Sequence, residues 1–195
     1  MESENYVDIA HNEMQALYLE WSVQHKKRFQ AARRFYGAES TLYDPIEIYA
    51  GYGARDINAY LRGEVETCFW SCLINTLRLS ILDAPRVHKN ISVYRWVPRS
   101  IVEEMLSSES KTYYERGFMS TSLQQRLDYE YHRNDVLLHI KVKAGTPAVY
   151  VDNVVNRHEH ELLFLDGSFL RYDGKKLCPK LRRFIYEVGM IRFDA

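Results

Sequence analysis

Two periods of hydrophobic positions divide the chain. Between residues 12 and 36, Met14, Leu17, Tyr18, Trp21 and His25 recur at the spacing of one helix face, and Lys26 to Arg34 form a basic end. Gly37 can stop this helix, and Ser40 to Pro45 reads as a short loop. A second helical stretch covers about 46 to 61, interrupted by Gly51 and Gly53. A third, from about Glu64 to Leu82, is apolar nearly all round, with Phe69, Trp70, Leu73, Ile74, Leu77 and Ile81. Such a helix is expected to be buried. Pro85 and the polar His88-Lys89-Asn90 close the helical half.

From Ile91 the period changes to alternation. Ile91, Val93 and Arg95 fall on one side of a strand, and Ser92, Tyr94 and Trp96 on the other. Pro98 and Arg99 open a short helix that reaches Leu106. Gly117 to Ser122 reads as a strand end and turn, and residues 136 to 143 alternate again through Leu138, Ile140 and Val142. Ala148 to Val151 is a strand and Asp152 to His158 a polar loop. Glu159 to Leu165 and Ser168 to Tyr172 are expected to pair as a hairpin about Asp166-Gly167, and a last strand covers about 184 to 193. The fold class is α+β: N-terminal helices packed on a mainly antiparallel β-sheet core. The chain reads as one domain, in which residues 1–45 form a helical extension ahead of residues 46–195.

Composition narrows the function. Lysine plus arginine number 26 and aspartate plus glutamate 26, so no overall positive field exists to hold a polyanion, which argues against nucleic acid as partner. The basic clusters Lys26, Lys27, Arg28, Arg33, Arg34 and Lys175, Lys176, Lys180, Arg182, Arg183 read as solvated faces. Three cysteines, Cys68, Cys72 and Cys178, do not make a disulfide framework and fit a reducing compartment. Residues 1–5 are acidic with no apolar segment behind them, so no signal peptide is expected, and no apolar run suggests a membrane span. The expected location is the cytoplasm, or a target cell's cytosol after signal-independent secretion, and the expected state is a monomer.

Three short segments could carry chemistry. In Glu159-His160-Glu161, strand geometry would put both carboxylates on one side, one to stabilise positive charge and one to handle a proton. Alone, this pattern is also that of an exposed strand edge. Arg95 lies within the apolar run Val93 to Val97, where its charge calls for an anion, a carboxylate or an escape to the surface. Ser120, Thr121 and Ser122 offer hydroxyls at a strand end, either for backbone turns or for a neighbouring carboxylate. His158 and His160 at i, i+2 beside Glu159 lack the spacing of a zinc pattern, and no metal is expected. Cys68 and Cys72 read as packing, and no Gly-rich phosphate loop is present.

Tyr94-Arg95, Gly117-Phe118-Met119-Ser120-Thr121-Ser122 and Glu159-His160-Glu161-Leu162-Leu163 together resemble the Arg–Ser–Glu signature of the mono-ADP-ribosyltransferases, among them bacterial toxins and effectors. Tyr49-Ala50-Gly51-Tyr52, Leu61-Arg62-Gly63 and Gly145 to Tyr150 are similar to further segments of that family. The resemblance implies a split sheet core that binds NAD as a substrate, and transfer of ADP-ribose to a host or cellular protein with release of nicotinamide. Arg95 would then hold the NAD phosphates or ribose, and Ser120 would orient Glu161, with Thr121 and Ser122 completing the turn. Glu161 would stabilise the oxocarbenium-like transition state, while Glu159 would serve the acceptor, its glutamate pointing to arginine. Trp96 stands where many members carry a glycine whose backbone faces the nicotinamide amide. Beyond Ser122, Arg126 or Arg133 would meet phosphates and Tyr129 or Tyr131 would stack on nicotinamide. The Asp152 to His158 loop would face the protein target. Readings left open are an NAD glycohydrolase, transfer to another side chain or to RNA, and an inactive NAD-binding module.

Overall fold

The computed structural model describes residues 5–36, 43–66, 69–125 and 135–191, with the backbone alone at 32–36. The helical half comprises β1 (Val7–Asp8), α1 (His11–Tyr36), α2 (Pro45–Ile48), a π-helical turn (Tyr49–Gly53), α3 (Ala54–Arg62) and α4 (Ser71–Asp83). The sheet half follows with β2 (Ile91–Pro98), α5 (Arg99–Ser107), β3 (Thr112–Glu115), β4 (Met119–Ser122) and β5 (Asp135–Val142). It ends with β6 (Ala148–Tyr150), α6 (Asp152–Val155), β7 (Glu161–Phe164), β8 (Ser168–Cys178) and β9 (Arg183–Ile191).

Local chemistry sets the helix limits. Asp44 caps α2 by accepting from the Ile46 N–H at 2.9 Å, with Pro45 in the first helical position, where no amide hydrogen is needed. The same buried carboxylate meets His25 of α1 at 3.0 Å, so one side chain joins the two helices. Gly63 ends α3 with φ 78, a left-handed conformation that side chains disfavour. That stop explains why α4 begins at Ser71 and not near Glu64. The helix is also not buried all round. Ile74, Leu77 and Ile81 are buried, but Leu79 and Leu82 are exposed, as is Phe69 ahead of the helix, because only one side of α4 meets the body of the protein. Cys72 is exposed and Cys178 buried, both as free thiols, while Cys68 lies outside the described residues.

The sheet runs β3-β8-β9-β5-β2-β4-β7-β6, with β1 beside β2. It is mainly antiparallel; β5 with β9 and β1 with β2 are the parallel pairs. β2 pairs with β5 along its full length, from Ile91↔Val142 to Pro98↔Asp135. Its other edge takes β1 at Ile91 and Ser92 and then meets β4 in the single pair Tyr94↔Ser122. Beyond that pair the sheet divides. β6, β7 and β4 form one bank, and β2 with β5, β9, β8 and β3 forms the other.

Two expectations fail here. The segments around Asp166-Gly167 do not form a hairpin: β7 pairs with β4 and β6, whereas β8 pairs with β3 and β9. The turn signal is real, with Gly167 at φ 75, but it bends the chain across from one bank to the other. Arg78 of α4 holds that bend through a forked contact with Asp166, Nη2 to Oδ2 at 2.5 Å. The stretch from Asp152 is not a polar loop at its start. Asp152 to Val155 form α6, with Asp152 and Val154 buried, and Asn153 donates to the Gln15 carbonyl of α1 at 2.8 Å.

A continuous core includes Met14 and Tyr18 of α1, Ile74 and Leu77 of α4, and Val93, Ile140, Leu162 and Phe164 of the strands. Side chains of this size contribute roughly 1.5–3 kcal/mol each when fully buried. Leu137, Cys178, Leu181 and Ile185 form a smaller cluster against Tyr94 and Trp96. Of the basic clusters, Arg28 pairs with Asp83, Lys176 with Glu187, and Lys175 lies over the Phe184 ring. The side chains of Arg33 and Arg34 are outside the described residues. Among the described residues no helix is long and apolar enough to cross a membrane.

Gly117 is fixed by close approach. Asn58 of α3 accepts from the Phe118 N–H at 2.9 Å, and its amide donates to the Tyr49 hydroxyl at 3.0 Å and the Phe118 carbonyl at 3.3 Å. A Cβ at residue 117 would sit 2.7 Å from Asn58 Oδ1. Gly117→Ala should therefore lower stability by about 1–3 kcal/mol, as overpacking does. At about 2–4 °C per kcal/mol the loss is measurable by thermal denaturation, and an unchanged midpoint would show that Asn58 moves aside freely.

Candidate active site

Where the sheet divides, a cavity of about 810 Å³ opens, lined among others by Arg62, Arg95, Trp96, Ser120, Glu159 and Glu161. Its size is that of a small-molecule or cofactor site. Glu161, the first residue of β7, is 8% exposed. Ser120 lies diagonally across from it on β4 and donates its hydroxyl to Glu161 Oε1 at 2.5 Å. Burial raises the Glu161 pKa above the ordinary glutamate value; the Ser120 hydrogen bond opposes that rise, and the charge of Glu159 adds to it.

Glu159 reaches the same cavity by a different geometry from the one expected. It lies before β7, and His160 between the two glutamates has φ 55. The two carboxylates therefore do not project from one regular strand. The left-handed turn at His160 sends Glu161 into the cleft and leaves Glu159 at the rim, its side chain 50% exposed and 3.9 Å from Arg157. A left-handed residue with a side chain costs about 1–2 kcal/mol. Asp152 offsets this by accepting the His160 N–H at 2.9 Å and the Glu161 N–H at 3.3 Å.

On the opposite bank Arg95 meets a carboxylate that sequence reasoning missed. Glu115, buried at the end of β3, accepts Arg95 Nη2 at 3.3 Å and a fork from Arg62, whose Nε and Nη2 both lie 3.1 Å away. The Gly117 N–H adds a further bond at 3.0 Å. Arg95 Nη1 is buried with no hydrogen-bond partner among the described residues, and other atoms of Arg95 line the cavity. Nothing in the spacing of Arg62, Arg95 and Glu115 announces their meeting. The one local clue is a carboxylate closing the strand-like Thr112-Tyr113-Tyr114.

The remaining candidates divide by position. Thr121 lines the cavity, but its hydroxyl is committed to the Leu162 carbonyl at 2.8 Å. Ser122 caps the following turn by accepting the Gln124 N–H at 3.1 Å and donates to the Glu159 carbonyl at 3.4 Å. Trp96 lies between the main cavity and a second one of about 520 Å³ that Arg99, Arg182 and Arg183 also line. Arg126 and Tyr131, with Tyr129 and Arg133, lie outside the described residues. His160 does not group with His158. It meets His11, 149 positions away in sequence and therefore invisible to any local pattern.

Solved structures that include ADP-ribosylating toxins superpose on this divided sheet. C3stau2 from S. aureus with NAD does so with a TM-score of 0.68 at 16% identity, over 99% of this chain and 100% of that one. Plx2a, an ADP-ribosyltransferase toxin from Paenibacillus larvae, gives 0.67 at 18% identity over 97% and 99%. The Clostridium limosum C3 exoenzyme gives 0.64 at 17% identity over 97% and 98%. No curated protein matches the chain in sequence. The sequence model of the ADP-ribosyltransferase exoenzyme family matches residues 39–180, most of the chain, and the protein belongs to that family. It is an NAD-dependent ADP-ribosyltransferase of the toxin class.

The electrostatics of Glu161 set a pH dependence. If nicotinamide release needs its carboxylate, the acid limb of kcat/KM lies above the ordinary glutamate range, because the pKa is raised. Ser120→Ala removes an influence that lowers this pKa, so the limb should move to higher pH. Glu159→Gln removes one that raises it, so the limb should move to lower pH. Measured pH profiles in which the two variants shift in the same direction contradict this account.

Proposed function

We propose that the enzyme transfers one ADP-ribose from NAD to an arginine side chain of a target protein. The observation that carries this reading is the pairing of Glu161, buried and held by Ser120 at 2.5 Å, with Glu159 standing two residues away at the open rim. In this reading the Arg95 guanidinium meets the NAD phosphates or ribose, and Glu115 fixes its direction. Trp96, Thr121 and Ser122 line the NAD site, and Arg126 and Tyr131 are further candidates to bind NAD.

The division of labour follows from the charges. Breaking the bond between nicotinamide and the ribose carbon C1′ sends the bonding pair out with nicotinamide and leaves positive charge on the ribose. Glu161, bonded to the ribose 2′-hydroxyl, stabilises that charge from a fixed position in a largely desolvated site. A charged guanidinium is a poor nucleophile, so Glu159 takes its proton as the new carbon–nitrogen bond forms. Half-exposure at the rim suits Glu159 to meet a partner from solvent. The same exposure admits water as acceptor, which keeps NAD hydrolysis as a second reading.

Residues 1–45 are in this reading a helical extension that braces the catalytic domain of residues 46–195. The enzyme acts as a monomer in a cytosol, that of its own cell or of a target cell.

Incubating the enzyme with labelled NAD and a lysate should mark a protein, and mass spectrometry should place the label on arginine. Glu161→Ala should reduce nicotinamide release about 10²–10³-fold, the loss typical of removing one transition-state contact. Glu159→Gln should abolish transfer while leaving NAD hydrolysis largely intact. Label on another residue type removes the arginine assignment, and full activity in Glu161→Ala removes the site assignment altogether.

A further inference from the structure

Three segments far apart in sequence bring ligand atoms to one point behind Glu161. His11 opens α1, Asp152 opens α6, and His160 immediately precedes β7. One ligand atom from each lies within 4.8 Å of the other two. His11 Nδ1 and His160 Nδ1 are 2.9 Å apart. Tyr150 Oη touches His11 Nδ1 and lies 3.5 Å from His160 Nδ1 and 3.2 Å from Asp152 Oδ2. Asp152 is buried and both histidines are half-buried.

Hydrogen bonding within this group depends on few protons. A neutral imidazole carries one N–H, so of two facing Nδ1 atoms only one can donate while the other keeps its lone pair. Tyr150 has a single hydroxyl hydrogen to divide between His11 Nδ1 and Asp152 Oδ2. Four electron-rich atoms thus converge with few protons between them. A cation at the centre turns that crowding into attraction.

The donor set selects the kind of ion. Two imidazoles and one carboxylate are ligands for zinc and its neighbours, whereas calcium and magnesium require oxygen donors and copper(I) prefers sulfur. Zinc binds imidazole at about 2.0–2.1 Å, which sets two nitrogens on one tetrahedral ion about 3.3 Å apart. The histidine pair would need to open by only a few tenths of an ångström from its present spacing. His160 is also the residue in the strained left-handed conformation, and such strain collects at functional positions.

We propose that His11, Asp152 and His160 bind one divalent transition-metal ion, zinc by their chemistry, which fastens the start of α1 to the strand that carries Glu161. The ion takes no part in the transfer chemistry. Its role is to fix the His160 turn, and through the second oxygen of Asp152 it holds the backbone of Glu161.

The chelator-treated full chain, titrated with Co²⁺, should take up one equivalent and develop the visible bands of tetrahedral coordination, which Zn²⁺ then bleaches. Its thermal midpoint should climb as Zn²⁺ is added, as expected for a ligand of the folded state. His11→Gln should weaken Co²⁺ binding at least about tenfold. His88→Gln, which alters an exposed histidine paired with Glu13, should leave the bands unchanged. No stoichiometric cobalt spectrum in the parent chain overturns the proposal and leaves a proton-sharing histidine pair. Bands that survive His11→Gln, or disappear in His88→Gln, also overturn it, because they place the ion elsewhere. These measurements read metal binding and are independent of any transfer activity.

Discussion

The single backbone pair Tyr94↔Ser122 is the constraint from which the rest of the molecule follows. A sheet normally satisfies its backbone groups by continuing each ladder. Here β2 is paired in full on one edge, while its other edge loses β4 after one residue pair. Past that point no strand among the described residues lies beside Arg95 to Pro98 on that edge, and Ser120 faces the opening from β4. The divided sheet therefore builds two banks of rigid strands around a cleft that strand pairing does not fill. Side chains placed on those banks are held by the full stiffness of the sheet, which is what a site needing fixed charges requires.

The charges on the two banks are opposite in sign and differently secured. On one side of the cleft Arg62 of α3 and Arg95 of β2 share the buried Glu115, so two positive groups meet one negative. Glu115 is satisfied by five hydrogen bonds from Arg62, Arg95 and the Gly117 N–H, which makes its burial tolerable. On the other bank Glu161 is buried with one strong donor, Ser120, and its pKa rises because that donor only partly replaces water. A carboxylate in this state gains when positive charge develops beside it. In the proposed reading Arg95 meets the anionic diphosphate or ribose of NAD, and Glu161 meets the cationic ribose formed when nicotinamide leaves.

How much of this was legible in the sequence depended on the range of the contact. The helix of α1, the alternation of β2 and β5, and the order Arg95, Ser120, Glu161 are local features, and the structure places all three residues around one cavity. Partner choice was not legible. Asp166-Gly167 correctly signals a turn, but nothing nearby tells that the strands on its two sides join different banks, which the tether to Arg78 helps decide. Glu115 was overlooked because its importance lies in Arg62 and Arg95, one on a helix and one on another strand. The strand rule for Glu159 and Glu161 failed for a related reason. It assumes extended backbone, and the left-handed His160 between them depends on Asp152, which only the fold brings near.

His160 shows how the two ends of the chain come to share responsibility for the site. Its conformation is unfavourable in isolation, so surrounding contacts must fix it, and those contacts come from α6 through Asp152 and from α1 through His11. α6 is in turn held on α1 by Asn153 and Gln15. The position of Glu159 relative to Glu161 is thus set by the helix that begins at His11, although none of the described side chains of that helix lines the cleft. A carboxylate meant to meet an acceptor from solvent must be exposed, and one meant to meet a forming cation must be buried. Two residues apart on regular strand they would share one environment. The bend at His160 separates them, and the helical half of the protein holds that bend in place.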